Sequence, residues 1–208
     1  MKLTSQSFAD GARIPGEFAF AVPDPKSHVA LSSNRNPHLA WSDAPPNVKS
    51  FALICHDPDA PSVGDDVNQA GKIVAESLPR AEFIHWVLFD LPANVSEIAA
   101  GACSSAVTPR GKSGATTPYG ARQGINDYTG WFATDNDMKG EYYGYDGPCP
   151  PWNDARVHRY VFTLYALDVE KLFPASPLTA TALRQAMAGY VLASASITGL
   201  YTLNPALA

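Results

Sequence analysis

Proline, and the breaks it makes, constrains this chain most. Eighteen of the 208 residues are proline, roughly 9% where a typical globular chain has ~5%. Proline cannot donate a backbone hydrogen bond inside a helix or a central strand, so it divides a chain into short elements joined by turns. With 46% hydrophobic and 17% charged residues, the chain still has the apolar content of a globular protein. The sequence therefore predicts a β-rich globular fold.

Three apolar runs predict strands near the centre of the fold, and a shorter run predicts a first strand. Within the run that Pro92 ends, alternation places His85 on one face, together with Val87 and Phe89. Both faces of this run are otherwise bulky and apolar, which predicts an interior strand. The predicted strands are Lys2 to Phe8, Phe51 to Cys55, Phe83 to Leu91 and Val157 to Leu167.

One helix is predicted near the C-terminus, from Leu178 to about Ser194. Apolar residues repeat at i+4, and Thr179 or Thr181 is a suitable N-cap. A last strand, Ile197 to Leu203, follows the helix. The chain shows no internal repeat and no linker, so we expect a single domain over residues 1–208.

Two long segments lack periodicity and predict loops. Residues Ser62 to Arg80 are polar, and residues Ala100 to Tyr145 are rich in Gly, Thr, Ser, Pro and Asp. A loop of the second length inside a compact domain is usually functional or disordered. Its aromatic residues argue against disorder, so we expect an ordered excursion that packs on the body of the protein.

Charge and cysteine content limit the classes of binding partner and the cellular compartment that we expect. The net charge of −5 is unfavourable for nonspecific nucleic-acid binding, which depends on clustered Lys and Arg. No apolar run approaches the ~20 residues that span a bilayer, so we expect no integral membrane segment. The cysteines Cys55, Cys103 and Cys149 are too few and too scattered for a disulfide framework. A cytoplasmic protein is expected.

Polar residues stand in three places where core strands should be apolar. Asp57 and Asp59 follow a buried strand, His85 lies inside another, and His158 with Tyr160 lies in a third. If these strands are neighbours, a carboxylate, two imidazoles and a phenol converge, and such donors suit a phosphate or carboxylate group. Taken singly, each has an ordinary explanation, since a lone histidine or tyrosine on a strand is most often core and Asp-Pro is most often a turn.

Sharper catalytic and metal-binding motifs are absent from the sequence. Gly111-Lys112-Ser113 resembles the end of a phosphate-binding loop, but Ala106 stands where the first glycine belongs. There is no Gly-x-Ser-x-Gly elbow, no His-Glu-x-x-His and no paired Cys-x-x-Cys. Cys149, between prolines, has no feature that would activate its thiol. We expect no cofactor, no metal and no catalytic residue.

Together and in order, these segments resemble the phosphatidylethanolamine-binding protein family, in its bacterial branch of Raf kinase inhibitor-like proteins. The resemblance covers essentially the whole chain, including the C-terminal helix. Its four motifs are Asp57-Pro58-Asp59-Ala60-Pro61, His85-Trp86-Val87-Leu88, Gly147-Pro148-Cys149-Pro150-Pro151 and His158-Arg159-Tyr160.

The resemblance implies a mainly β fold, with two antiparallel sheets packed as a Greek-key-like sandwich, a C-terminal helix and long loops. It also implies a pocket for small anions and phosphorylated head groups. In that pocket Asp57 would orient a histidine and His85 and His158 would donate to the anion. Tyr160 and the turn from Gly147 to Pro151, including Pro148, would shape the wall, and Asp59 and Pro61 would complete the site. A cis bond is expected at Ala60-Pro61.

Three functions remain open at this point. The first is a noncatalytic binding protein for a small anion or phosphorylated ligand, acting as a regulator or inhibitor of a phosphoprotein, kinase or protease partner. The second is a hydrolase that uses an Asp-His site. The third is a protein-interaction module that uses the aromatic excursion, although its aromatics equally suit loop packing. A homodimer is expected by resemblance only.

Overall fold

The fold is described from a computed structural model over residues 1–114 and 116–207. Ala115, inside the predicted excursion, and Ala208 lie outside the described residues. The strands are β1 (Lys2–Thr4), β2 (Ala21–Asp24), β3 (His28–Leu31), β4 (Leu39–Ser42), β5 (Ser50–Pro61), β6 (Arg80–Pro92), β7 (Glu97–Ile98), β8 (Arg122–Gln123), β9 (His158–Leu167) and β10 (Val191–Tyr201). The helices are α1 (Tyr128–Trp131) and α2 (Ala180–Met187), and a 3-10 turn covers Gly16–Phe18.

Two antiparallel sheets form the body of the protein. The larger sheet has the strand order β10-β9-β5-β6-β8, and the smaller has the order β1-β4-β7. Strands β2 and β3 form a separate hairpin. Because β5 lies between β6 and β9, the three strands that carry the predicted site residues are direct neighbours. The convergence expected from the sequence is thus a property of the sheet order.

The two central strands of the larger sheet, β5 and β6, are buried on both faces over most of their length. One face packs against the smaller sheet, where Trp41 of β4 meets Phe51 of β5 edge to face at 5.3 Å between ring centroids. The other face is covered by α2, whose Leu183 and Met187 pack against Val87 of β6. Burial of each apolar side chain of this size stabilises the folded state by about 1.5–3 kcal/mol. This two-sided burial explains why β5 and β6 are apolar in sequence on both faces.

The predicted fold class is confirmed. The protein is mainly β, two antiparallel sheets pack against each other, and a helix stands near the C-terminus. Thr179 is the N-cap of α2, and its hydroxyl accepts a hydrogen bond from the Ala182 amide at 3.2 Å. The central strands lie where the sequence predicts them, although β5 continues through His56 to Pro61.

The predicted helix is too long and the last predicted strand too short. Helix α2 ends at Met187, and Gly189 then adopts a left-handed φ of 86° in a turn. Such a backbone conformation stops a helix and favours glycine. Strand β10 begins directly after this turn, at Val191, so the i+4 spacing of Val191 from Met187 does not reflect a helix.

The cis bond expected at Ala60-Pro61 is not found there. Both residues belong to β5, where Ala60 lies opposite Ala81 and Pro61 opposite Arg80 of β6. The cis peptide of the described chain is Ser176–Pro177, between β9 and α2. The motif from Asp57 to Pro61 is instead the end of strand β5. It pairs with β6 on both sides of a register shift between Asp57 and Ala60.

Candidate functional site

His85 reaches the site through a β-bulge in β6. Cys55 of β5 lies opposite Trp86, but the next residue, His56, lies opposite Ile84, so His85 is an extra residue in β6. A bulge shifts the side-chain alternation by one position. His85 therefore packs near Tyr128 and Tyr160, on the inter-sheet side. The predicted face shared by His85, Val87 and Phe89 is wrong for this reason, because Val87 and Phe89 pack toward α2.

The two ring nitrogens of His85 have different roles. Nδ1 lies 2.7 Å from the carbonyl oxygen of Asp146, and a carbonyl only accepts, so Nδ1 carries a proton and donates. Burial lowers the pKa of His85 to about 4. At neutral pH the ring is therefore uncharged and Nε2 holds a lone pair. Within the described residues, Nε2 makes no hydrogen bond to protein.

Behind His85, the carboxylate of Asp146 is fully buried and receives three hydrogen bonds. Its oxygens accept from Asn34 Nδ2 at 2.7 Å, Asn126 Nδ2 at 2.8 Å and Lys112 Nζ at 2.7 Å. Burial raises the pKa of Asp146, and the ammonium of Lys112 opposes that shift. The cluster fixes the backbone carbonyl that orients His85. It therefore ties the long excursion, which supplies Lys112 and Asn126, to the site.

His158 lies in a clamp of two carboxylates. Its Nδ1 is 2.7 Å from Asp57 Oδ2, and its Nε2 is 3.0 Å from Asp154 Oδ2. Burial alone would lower the pKa of His158, but the hydrogen bonds to Asp154 and Asp57 raise it to about 9. The ring is therefore an imidazolium at neutral pH. Arg80 pairs with Asp154 from the other side, so two cations balance two anions.

This clamp changes the role implied for His158. With both N–H groups of His158 donated to carboxylates, neither remains for an anion, so the expected direct donation does not occur in this structure. The expected role of Asp57 in orienting a histidine is seen in its contact with His158. Its second oxygen accepts from the Asp59 amide at 2.7 Å, which fixes the carboxylate.

Asp59 faces away from the cavity that the other residues line. Its carboxylate accepts from Arg159 Nε at 2.8 Å and from Arg156 Nη1 at 3.2 Å. These contacts satisfy a carboxylate that is 2% exposed. Asp59 thus braces the strand ends of β5 and β9 beneath the site, whereas Pro61 lies on the cavity wall.

A cavity of about 290 Å³ lies above His85 and the His158 clamp. The Tyr160 hydroxyl makes no hydrogen bond within the part of the chain that the structure describes. Burial raises the pKa of this phenol well above its ordinary range, so it stays a donor. The cavity is lined by Asp57, Ala60, Pro61, Ser62, Val63, Gly64, Val67, Asn68, Phe83, His85, Tyr128, Trp131, Phe132, Cys149, Pro150, Pro151, His158 and Tyr160.

The proline turn contributes its second half to the cavity wall and its first half to the support. Cys149, Pro150 and Pro151 line the cavity. Gly147 instead donates its amide to Asn34 Oδ1 at 2.8 Å, and the Pro148 carbonyl accepts from the Phe20 amide at 2.9 Å. The wall-forming role implied for Gly147 and Pro148 thus falls to the three residues that follow them.

Sequence reasoning missed the groups that support and roof the site. Asp146 stands in a long loop with no local pattern, so only its buried contacts reveal it. The aromatic residues Tyr128, Trp131 and Phe132 follow a helical i, i+3, i+4 spacing, which was a usable indication of one aromatic helix face. Over residues 1–114 and 116–207, no group of three His, Cys, Asp or Glu side chains is arranged to hold a metal.

Comparisons with known proteins agree with this architecture. The sequence model described as phosphatidylethanolamine-binding protein matches residues 4–202. The Escherichia coli protein YbhB is 30% identical over 202 residues, covering 97% of this chain and 100% of YbhB. A protein of Methanothermobacter thermautotrophicus is 33% identical, covering 97% of this chain and 98% of that relative.

Two solved structures extend the likeness to three dimensions. The structure of Escherichia coli YbcL, described as a new member of the mammalian PEBP family, aligns with a TM-score of 0.67 at 27% identity and covers 97% of each chain. A Chlamydia trachomatis homologue of phosphatidylethanolamine-binding protein aligns with a TM-score of 0.63 at 31% identity, covering 96% of this chain and 95% of its own. No helix in the described residues is long and apolar enough to cross a membrane. By sequence and by fold, this chain belongs to the phosphatidylethanolamine-binding protein family.

Proposed function

We propose that the protein is a noncatalytic binding protein whose cavity takes a small anionic group such as a phosphate. The observation that carries the proposal is a pair of polar groups, His85 Nε2 and the Tyr160 hydroxyl. Both belong to residues that line the cavity, and neither has a protein hydrogen-bond partner among the described residues. Buried polar groups are normally satisfied, so a ligand or water is expected to complete them.

The charged side chains around the cavity are already paired, so an anionic ligand would be bound by two other groups. These are the neutral Tyr160 hydroxyl and a proton shared between the ligand and His85. Asp57 and His158 line the cavity but are paired with each other. Tyr160 donates at any physiological pH, and Nε2 of His85 donates once it is protonated. Charge-assisted hydrogen bonds of this kind contribute about 1.5–3 kcal/mol each, enough for reversible binding of a phosphate group.

Binding without turnover suits the chemistry of the lining. His158, with its pKa raised to about 9, is protonated at neutral pH and is a poor general base. The Cys149 thiol lines the cavity, but burial raises its pKa to about 12, so it is not an activated nucleophile. These two values argue against a hydrolase that uses His158 as its general base or Cys149 as its nucleophile.

The wider biological role follows from the same pocket. A phosphorylated group on a partner protein would enter the cavity as a small phosphate ligand does, which is how the protein would regulate or inhibit a phosphoprotein, kinase or protease. All three cysteines are free thiols, which suits the reducing cytoplasm. A homodimer stays a prediction from the family resemblance.

Calorimetric titration with inorganic phosphate and phosphoethanolamine at about pH 5.5 tests the proposal. We expect millimolar or tighter binding, and His85→Ala and Tyr160→Phe should each weaken it by about tenfold or more, the equivalent of one hydrogen bond to a charged group. His56→Gln is the matched control, because His56 lies near Glu82, with Nε2 3.9 Å from its carboxylate, and outside the cavity lining. Unchanged affinity in both site variants, or equal loss in the control, contradicts the proposal.

A further inference from the structure

Strand β10 is an outer strand of the larger sheet, with β9 on its inner side. In its second half, the outward-facing backbone groups of Thr198 and Leu200 are paired with residues 10–14. Outward-facing groups alternate along a strand, so those of Ser194 and Ser196 also point away from β9. None of these groups has a hydrogen-bond partner elsewhere in the described chain. The first half of β10 is therefore an open sheet edge.

This open edge lacks the features that normally protect such strands. Edge strands usually carry lysine, proline or an inward-pointing charge, or they are very short. The chain from 189 to 203 contains no charged residue and no proline, and the register shift between Val191 and Ala193 leaves the stretch that follows regular. At the opposite edge of the same sheet, β8 has two residues, one of which is Arg122. The contrast marks β10 as the edge suited to pairing.

Side chains along the open edge also favour pairing with another strand. Tyr190, Val191 and Leu192 are 44%, 43% and 40% exposed, although each is a large apolar or aromatic residue. Residues 193–196 are alanine and serine, so another strand can approach to the ordinary spacing of about 4.8 Å. A strand laid along this edge would cover part of the three exposed side chains.

The uncovered stretch fits a second copy of itself. It runs from Val191, where β10 begins, to Ile197, beyond which residues 10–14 occupy the edge. Antiparallel pairing about a two-fold axis at Ser194 matches this stretch in full, because Val191 then lies opposite Ile197 of the second copy. Ser194 lies opposite its own counterpart, and the two residues exchange two backbone hydrogen bonds. A second copy therefore meets the edge without entering its covered half.

We propose that the protein self-associates through β10, with residues 191–197 of two copies paired antiparallel so that two five-stranded sheets form one continuous sheet. The inference is independent of the proposed function, because none of these residues lines the cavity. The net charge of −5 on each chain opposes association, and the uncharged edge adds no local repulsion. Salt screens repulsion between like-charged copies, so added salt should strengthen the dimer.

Sedimentation equilibrium over a range of about 1–500 μM protein, at low and high salt, tests the inference. The wild-type protein should shift from the monomer mass to twice that mass. Ser194→Lys sets like charges opposite each other at the axis, with Cβ atoms about 4.5–5.5 Å apart, and should weaken the dimer about tenfold or more. Ser77→Lys is the matched control, because it makes the same change at an exposed residue of the loop between β5 and β6. It should leave the dimer Kd unchanged.

A cross-linking variant tests the pairing register and does not depend on weakening the dimer. Ser194→Cys sets two thiols opposite each other, within the Cα separation of about 4.4–6.8 Å that a disulfide spans, and should yield a covalent dimer on mild oxidation. Ser77→Cys carries the same three native cysteines and should not. The inference is overturned if the wild-type protein stays a monomer throughout, if Ser194→Lys dimerises as tightly as the wild type, if salt weakens the dimer, or if the two cysteine variants cross-link equally.

Discussion

Binding of a phosphate monoester to this cavity should take up one proton at neutral pH. The Nδ1 atom of His85 is committed as a donor to the Asp146 carbonyl, so only Nε2 changes its role with pH. Because burial lowers the pKa of His85 to about 4, Nε2 is a lone pair at neutral pH and would repel a phosphate dianion. A hydrogen bond between them requires one proton, which either partner can carry.

The size of the effect follows from the two pKa values. Above the second phosphate pKa of ~6, the free ligand is a dianion and His85 is neutral, so the proton comes from water. The Kd should then rise tenfold per pH unit, or about 1.4 kcal/mol per unit. Between about pH 4 and 6 the monoanion brings the proton itself, and the Kd should stay level. Sulfate stays fully ionised in this range, so its Kd should rise tenfold per unit from about pH 4 upward.

Calorimetry at about pH 4.5, pH 6 and pH 8, in buffers of different ionisation enthalpy, measures both the Kd and the protons taken up for phosphate and for sulfate. We expect a weakening of about 50-fold for phosphate between pH 6 and pH 8, because half of a phosphate monoester is still monoanionic at pH 6, with close to one proton bound per phosphate at the higher pH. His85→Gln carries a permanent amide donor and should abolish the pH slope. Equal phosphate affinity at pH 6 and pH 8, or a parallel response of sulfate and phosphate below pH 6, would refute this account of His85.

Three further substitutions probe the buried charges and the helix. His158→Asn should lower the free energy of unfolding by about 3–5 kcal/mol, because it leaves two carboxylates facing each other. In the wild-type protein the imidazolium stabilises the fold fully below pH 6.5, and this stability is lost as pH rises from 6.5 toward 9; the variant should lack this pH dependence. Denaturant unfolding at several pH values measures the free energy of unfolding and its pH dependence. A variant with the pH profile of the wild-type protein would contradict the clamp. Lys112→Met should cost about 2–3 kcal/mol by leaving Asp146 without its counter-charge, and a change below 0.5 kcal/mol would mean that the two amides suffice. Thr179→Ala should cost about 1 kcal/mol through the lost N-cap, which thermal unfolding detects, with Thr181→Ala as the control.

Much of the fold was predictable because strands and core depend on local pattern. The runs that became β5 and β6 are apolar on both faces, and strands at the centre of a sheet that is covered on both sides require that. The end of α2 was mispredicted because apolar spacing at i+4 continued past Gly189, where only the backbone conformation stops the helix. Hydrophobic periodicity predicts which face of a helix is buried, whereas the end of a helix depends on the backbone conformation of one residue. The sequence therefore predicts the presence of a helix better than it predicts its last residue.

The candidate site was predictable in its membership but not in its hydrogen-bond partners. Asp57, His85 and His158 stood out because they are polar residues within apolar strands, and strand order does bring them together. Asp154, which takes the second nitrogen of His158, lies four residues earlier in a turn and has no pattern of its own. Which nitrogen remains free is decided by such contacts at long sequence separation, and sequence spacing does not encode them.

The arrangement of paired charges explains why the ligand should meet neutral groups. Asp57 is neutralised by His158, and Asp146 by Lys112, so the fixed charges near the cavity already satisfy one another. A paired buried charge contributes little long-range attraction, because its field is cancelled by its partner. Attraction for an anion then depends on short-range donors and on the proton that His85 takes up. Affinity should therefore respond strongly to pH and weakly to ionic strength, in contrast to sites where exposed lysine or arginine captures phosphate and salt competes directly. A steep salt dependence with no pH dependence would point to binding on the surface and not in this cavity.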